Sequence, residues 1–493
     1  MAGGFRSVDR DQLMLLPVDM REWLPADHLA LFVIDVVDQL DLSDMERRYR
    51  LGGVGREAYH PRMMTALLIY AYCVGIRSSR QIERSCVTDV AFRVITAQQC
   101  PDHTSIARFR AGHESALTGL FGQVLGLCAR AGMVKVGVVS IDGTKIAGRA
   151  SSRRNYTQEY LMGLAHEVMG EAAHLDSVDD EEDDPGLPPS LGPGPDRPVR
   201  LREGLHRGDK GERVQRALAR IEDDARMVIS KDQARIESKL VHARRALQRE
   251  RVTVEHRWAQ RRHPTAHRRI PIEDQARVVK ARTRVDMLEA ELSEVVTGKG
   301  RDLLSRTLVA NLSDPDTKPM PIHTGRSFIQ GYNAQIAVSD DHLIVHTDVF
   351  RSTNDTPLFV PMMRATIDSL SIHLGPYPRI GVILADAGYL SNDALTTPGP
   401  DRLIAVGRDP ATRLQPIRNQ HIITMAERLK PGTRDHATYK RRPATVETVI
   451  AHLKDRIGLR QFSRRGLTAV RHELSLAATA FNILRLATHT LTA

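Results

Sequence analysis

Apolar residues recur three and four positions apart through much of residues 24–130, as at Leu29, Phe32, Val33, Val36, Val37 and Leu40, and again at Met64, Leu67, Leu68 and Ala71. That spacing lines one side of an α-helix, so this part of the chain reads as helical. From 134 to 141 the rhythm changes to a dense β-branched run, VKVGVVSI, which predicts a buried strand ending on Asp142. In 331–349, Tyr332, Ala334, Ile336 and Val338 alternate with more polar neighbours, and after Ser-Asp-Asp-His a second alternating run follows. This is the pattern of a β-hairpin. The run IGVILA at 380–385 predicts another buried strand, ending on Asp386, and Leu403–Val406 a short one beyond it. A helix is expected from Pro443, since proline suits a first helical position.

Between these parts lies a long interruption. An acidic run, DSVDDEEDD, and a Pro/Gly-rich stretch, PGLPPSLGPGPDRP, fill most of 176–200 and read as a solvated linker. Residues 212–257 and 272–297 are then strongly helical, the second with apolar residues at 278, 281, 285, 288, 292 and 295. Ile236, Leu240, Ala243 and Leu247 keep the same rhythm in the first, so an antiparallel helical hairpin is expected, with the basic segment RRHPTAHRRIP at its tip.

Charge adds a partner class. The 70 Lys and Arg exceed the 60 Asp and Glu, giving a net charge of +10 that favours a polyanion. Residues 201–300 hold 24 Lys/Arg against 16 Asp/Glu, and 434–493 hold 11 against four. The first excess fits either a solvated coiled-coil surface or DNA contact, whereas Arg460, Arg464 and Arg465 in the second are expected on phosphates. In PDHTSIARFR, a capped helix carries Arg108 and Arg110, and both a helix-turn-helix and a plain helix start fit those residues. Aromatic residues make up 4%, which argues against stacking on single-stranded bases as the main mode. Cys73, Cys86, Cys100 and Cys128 lack CxxC spacing and read as free thiols rather than a disulfide framework or zinc module. No apolar run is long enough to span a bilayer, so a soluble cytoplasmic protein is expected.

The candidate chemistry lies in three acids. Two separate strands each end in an aspartate followed closely by glycine, SIDGTK at Asp142 and ILADAGY at Asp386. A third acid, Glu447, stands one turn into a helix whose core face is Val446, Ile450, Leu453 and Ile457. Glu447, Ala451 and Lys454 share the adjacent face. Three hard oxygen donors at one end of a sheet suit two Mg²⁺ ions and in-line attack on a phosphodiester. Asp314 and Asp316 in NLSDPDTKPMP read first as turn residues, and Asp348 is weighed as an accessory ligand. His436, His452 and His472 lack metal-ligand spacing.

The segments PDHTSIARFR, VVSIDGTKI, QGYNAQIAVSDDHLIV, ILADAGYLS and YKRRPATVETVIAHLKDRIGLRQFSRRGL together resemble the DDE transposases of bacterial insertion sequences. The resemblance covers most of the chain outside the linker and hairpin. It implies an α/β fold, an RNase H-like mixed sheet flanked by helices, with an all-α N-terminal domain and an inserted helical hairpin. The implied partition is a DNA-binding helical domain at 1–130, a first part of the core at 131–175, linker at 176–211, hairpin at 212–300 and the rest of the catalytic core at 301–493. It further implies that Asp142, Asp386 and Glu447 are the catalytic metal ligands, for Mg²⁺ or Mn²⁺, with cleavage at transposon ends followed by strand transfer into target double-stranded DNA. Homo-oligomers on DNA are implied as well. The family's tyrosine, arginine, glutamate, lysine signature resembles Tyr439, Arg442, Glu447 and Lys454, but four residues instead of three separate Arg442 from Glu447, which makes Arg441 an alternative to Arg442. An RNase H-like nuclease without strand transfer and an inactive, transposase-derived DNA-binding protein are the competing readings.

Overall fold

The computed structural model describes residues 19–49, 58–168, 200–260, 270–297, 307–322, 327–375, 379–407 and 419–492. Two compact units divide the chain: Met1–Arg149 with Thr317–Ala493, and Ala150–Asp316.

The first unit is built on a six-stranded sheet. Its strands are β1 (Val138–Ala147), β4 (Lys318–Ile322), β5 (Ser327–Ser339), β6 (Ile344–Phe350), β7 (Val382–Ala385) and β8 (Asp401–Ile404); β2 (Asn155–Thr157) and β3 (Val309–Asn311) pair with each other in the second unit. β5 lies antiparallel between β1 on one edge and β4 with β6 on the other, while β7 and β8 continue beyond β1 in parallel. Antiparallel strands β1, β4, β5 and β6 followed by parallel ones, with helices on both faces, make the α/β, RNase H-like mixed sheet expected. The hairpin joins β5 to β6 as anticipated, with His342 in the left-handed region at φ 64°. β1 differs from expectation in one respect: it runs on through Asp142 to Ala147, because those residues find a full ladder of partners along β5.

Alternation along the strands sorts two cores. Ile146, Tyr332, Ala334, Ile336, Val338, Ile344 and Val349 face the larger one, and Val139, Ile141, Ala337 and Val345 the other, which the Phe359–Leu374 helix covers. The larger core also contains the N-terminal helices and the Leu467–Thr492 helix. The Pro61–Cys73 helix shows why these N-terminal helices share a unit with the sheet: Met64 to Cys73 are buried without a break, so no single face could satisfy it. The Asn482 side chain both accepts from Ile344 N at 3.0 Å and donates to Ile344 O at 2.8 Å, tying the last helix to β6.

In the second unit the Arg200–Gln260 helix lies antiparallel to Ala276–Val296, closed by Ile236, Leu240, Val285 and Leu288 and by an Arg244–Glu289 ion pair at 2.7 Å. The expected seam is therefore present, although the first helix begins at Arg200, ahead of 212. The acidic and Pro/Gly-rich linker up to 199 and the basic tip at 261–269 lie outside the described residues. Leu161, Val214, Ala217, Ile221 and Ala310 form a further apolar cluster within this unit.

The two ends that bracket the insert meet. A Cβ built on Gly148 would stand 2.5 Å from Thr317 Cγ2, so Ala150–Asp316 can be replaced by a short flexible linker without stretching the first unit. Such a protein is expected to unfold cooperatively, with its circular-dichroism signal reduced only by the share of the two removed helices. Loss of the folded baseline would show that the insert is required for the sheet to form.

Candidate active site

Parallel pairing of β1 with β7 matches Val138 to Val382, Val139 to Ile383 and Ser140 to Leu384. Two more steps along the same register bring Asp142 beside Asp386, just where β7 has ended and left the flank of β1 uncovered. Asp386 closes its own turn, its Oδ1 accepting from Gly388 N at 2.9 Å. A Cβ at Gly388 would come 3.0 Å from that oxygen, which is the physical use of the glycine in the Asp-Ala-Gly pattern. Asp142 is largely buried, its side chain 14% exposed. Burial is the main cause that raises its carboxyl above the ordinary carboxylate range; Arg442 opposes the rise and the neighbouring charge of Asp386 adds to it.

Glu447 arrives from the other side, and the extra residue in its signature has a structural answer. Pro443–Glu447 form a π-helical turn, in which hydrogen bonds span five residues, so the added residue is absorbed as a bulge. Arg442 and Glu447, five positions apart, thus remain on one face. The Arg442 guanidinium lies between the acids, with Nη1 at 2.9 Å from Asp142 Oδ2 and Nη2 at 3.4 Å from Glu447 Oε1. The turn is fastened to the sheet where the hydroxyls of Ser140 and Thr445 meet at 2.8 Å. Val446, Val449, Leu453 and Ile457 face the core, while Ile450 is only partly buried.

Two more members of the signature gather here. The Tyr439 hydroxyl is pushed above its ordinary pKa chiefly by burial, and Arg442, which it hydrogen-bonds, offsets part of that rise. Lys454 is pulled below its ordinary value by burial and by Arg460, while Asp455 and Asp142 work to keep it charged. For Arg442, burial works against the charge, but Asp142, Tyr439 and Asp386 outweigh it and hold the guanidinium protonated. Asp142 and Asp386 are therefore neighbours at one end of the sheet, and Arg442 links Asp142 to Glu447.

A polar cluster behind β1 is absent from the sequence reading. Asp355 Oδ1 accepts from Lys145 Nζ at 3.2 Å, Asn333 Nδ2 at 2.6 Å and Gln335 Nε2 at 3.0 Å, and the Tyr389 hydroxyl donates to Gln335 Oε1. Thr356 Oγ1 donates to Gly388 O at 2.9 Å, so this cluster braces the turn that carries Asp386. The signal lay in β5, where Asn333 and Gln335 alternate with apolar residues as if facing solvent; both are fully buried. Buried amides need partners, and those partners mark the site.

Other expected site residues are placed elsewhere. Arg441 turns outward to an ion pair with Asp340, so Arg442 is the arginine at the acids. Arg110 is corrected as a phosphate contact: it is buried, stacked 5.7 Å from the centre of the Tyr72 ring and donating to Arg77 O at 3.1 Å. Arg464 pairs with Glu114, and Arg460 with Asp455 at the surface. Arg108 and Arg465 are exposed. Asp348 pairs with Arg471 at 2.6 Å, and Asp316 with Arg220 at 2.5 Å inside the second unit. Cys73, Cys86 and Cys128 are buried free thiols, whereas Cys100 is an exposed one.

Among the described residues no three His, Cys, Asp or Glu side chains stand close enough to hold one ion together. The interval between Asp142 and Glu447 is instead bridged by a guanidinium. An all-carboxylate oxygen set that already holds a cation has the donor chemistry a hard divalent ion requires. Among the described residues no helix is long and apolar enough to cross a membrane.

Residues 18–112 match the family model described as Transposase domain (DUF772), and residues 305–483 match the Transposase DDE domain. The second match spans Asp386, Glu447 and the full signature. No curated protein and no solved structure matches the chain.

Proposed function

We propose that this chain, whose two family matches support a DDE transposase of the insertion-sequence type, cuts double-stranded DNA at transposon ends and joins the freed 3′ ends to target DNA. The observation that carries this reading is that Arg442 bridges Asp142 to Glu447 at the end of the sheet where Asp386 neighbours Asp142. Asp142, Asp386 and Glu447 would hold two Mg²⁺ ions, with Mn²⁺ as a substitute. Such ions, when bound, supply Lewis-acid stabilisation of the phosphoryl group and a more acidic attacking water or hydroxyl. Asp142 and Asp386 approach from the sheet and Glu447 from the helix, so a phosphodiester can lie between them. Lys454, on the face of Glu447, and Tyr439 present donors to its oxygens, and the small Ala451 leaves them room.

The exposed Arg108 and Arg465 extend the phosphate-contacting surface. Concerted action on two transposon ends calls for more than one copy of the chain, and the work would take place in the bacterial cytoplasm, at the nucleoid. An intact set of three acids favours turnover over a DNA-binding relic. The test against a simple nuclease is to incubate the protein, Mg²⁺ and DNA bearing the sequences that flank its reading frame with a target plasmid. Covalently joined end-target products are expected; hydrolysed ends without any joined product would leave only the nuclease reading.

A further inference from the structure

Arg442 reaches Asp142 with one nitrogen and Glu447 with the other, and its side chain is 11% exposed, so it is a cation seated between two acids on different elements. The π turn is what allows this: it keeps residues five positions apart on one face and turns Glu447 towards the guanidinium. We propose that Arg442 is a built-in counter-cation that competes with divalent ions for Asp142 and Glu447 until a DNA phosphate draws it away. This rests on the reading of those acids as metal ligands.

Asp142, which is largely buried, and Asp386 are neighbours, and like charges so placed repel unless a cation stands near. Arg442 supplies that cation at no cost in free ligand, and the Tyr439 side chain hydrogen-bonded to it gives the guanidinium a second anchor beside the acids. A guanidinium also matches phosphate through two parallel hydrogen bonds, so a nearby backbone phosphate is a fitting alternative partner. Metal loading and phosphate contact are then linked through one side chain, and linkage of this kind is reciprocal. The consequence is a site that takes up its ions tightly only on DNA, which protects against indiscriminate cutting.

The test measures Mn²⁺ binding to the full-length protein by electron paramagnetic resonance, with folding checked by circular dichroism. Without DNA, Arg442→Gln is expected to bind Mn²⁺ about tenfold more tightly than wild type, within the usual span of coupled sites. Arg442→Lys, which keeps the charge but not the two-nitrogen bridge, should fall between them. A duplex oligonucleotide should tighten Mn²⁺ binding in wild type more than in Arg442→Gln. If Asp142→Asn weakens binding but Arg442→Gln and Arg442→Lys leave it unchanged or weaker, the acids are ligands and the counter-cation proposal is overturned. If Asp142→Asn binds Mn²⁺ as wild type does, the ligand reading itself falls and the proposal with it.

Discussion

Asp142→Asn is expected to slow Mg²⁺-supported cleavage of end-bearing DNA by about 10³-fold or more while the protein stays folded. Loss of a residue that hydrogen-bonds a metal ligand typically costs about 10–100-fold, and loss of a charged ligand that also balances developing charge should cost more. Asparagine keeps the shape of the side chain and one acceptor oxygen. Its amide can therefore still receive Arg442 Nη1, which in wild type lies 2.9 Å from Asp142 Oδ2, and the fold should survive. What disappears is the negative charge. The check is a single-turnover nicking rate on labelled duplex, with melting followed in parallel; a variant within tenfold of wild type would remove Asp142 from the chemistry.

The second large effect is on DNA affinity. Six to ten Lys or Arg residues on phosphates release condensed counterions, so affinity should fall by about 10³–10⁵ between 50 and 200 mM salt. The structure narrows the set of contributors. Arg110 is buried, and Arg441 and Arg464 are engaged with Asp340 and Glu114, whereas Arg108 and Arg465 stand exposed. The loop that carries Arg465 is also held in place: the buried Glu473 carboxylate accepts from Ser463 N, Arg464 N and Arg77 Nη1, at 2.9, 3.2 and 2.7 Å. Preorganised cations lose little freedom on binding. A fluorescence-anisotropy titration at several salt concentrations gives the slope; a flat one would mean that the positive surplus is balanced within the protein.

Much of this candidate site was legible because its acids sit at places where patterns change. Asp142 and Asp386 each follow a dense apolar run, and the parallel register that aligns them is what two strands of that kind adopt when buried on both faces. Glu447 was legible from the spacing of its helix. The choice between Arg441 and Arg442 was not, because it turned on a π turn, and a bulge of one residue leaves no mark in hydrophobic periodicity. Asn333, Gln335 and Asp355 were missed for a related reason: polar residues alternating with apolar ones look solvent-facing until a partner such as Asp355, far along the chain, is brought beside them. The apolar run from Met64 to Cys73 announced a helix, yet its partners, among them the last helix of the chain, are set by tertiary packing alone.

The central claim is that Asp142, Asp386 and Glu447 together carry divalent ions that cut DNA, and ligand softness tests it most directly. Mg²⁺ takes hard oxygen ligands and binds thiolates poorly, whereas Mn²⁺ tolerates softer donors better. Asp386 is the position of choice, because its carboxylate stands at the end of β7 and its turn, which it closes through Gly388 N, is also held by Tyr389 and Thr356. The measurement is the nicking rate of Asp386→Cys on end-bearing duplex in each ion. The account predicts cleavage that is lost in Mg²⁺ and restored in Mn²⁺; cleavage at the wild-type rate in Mg²⁺ would contradict it.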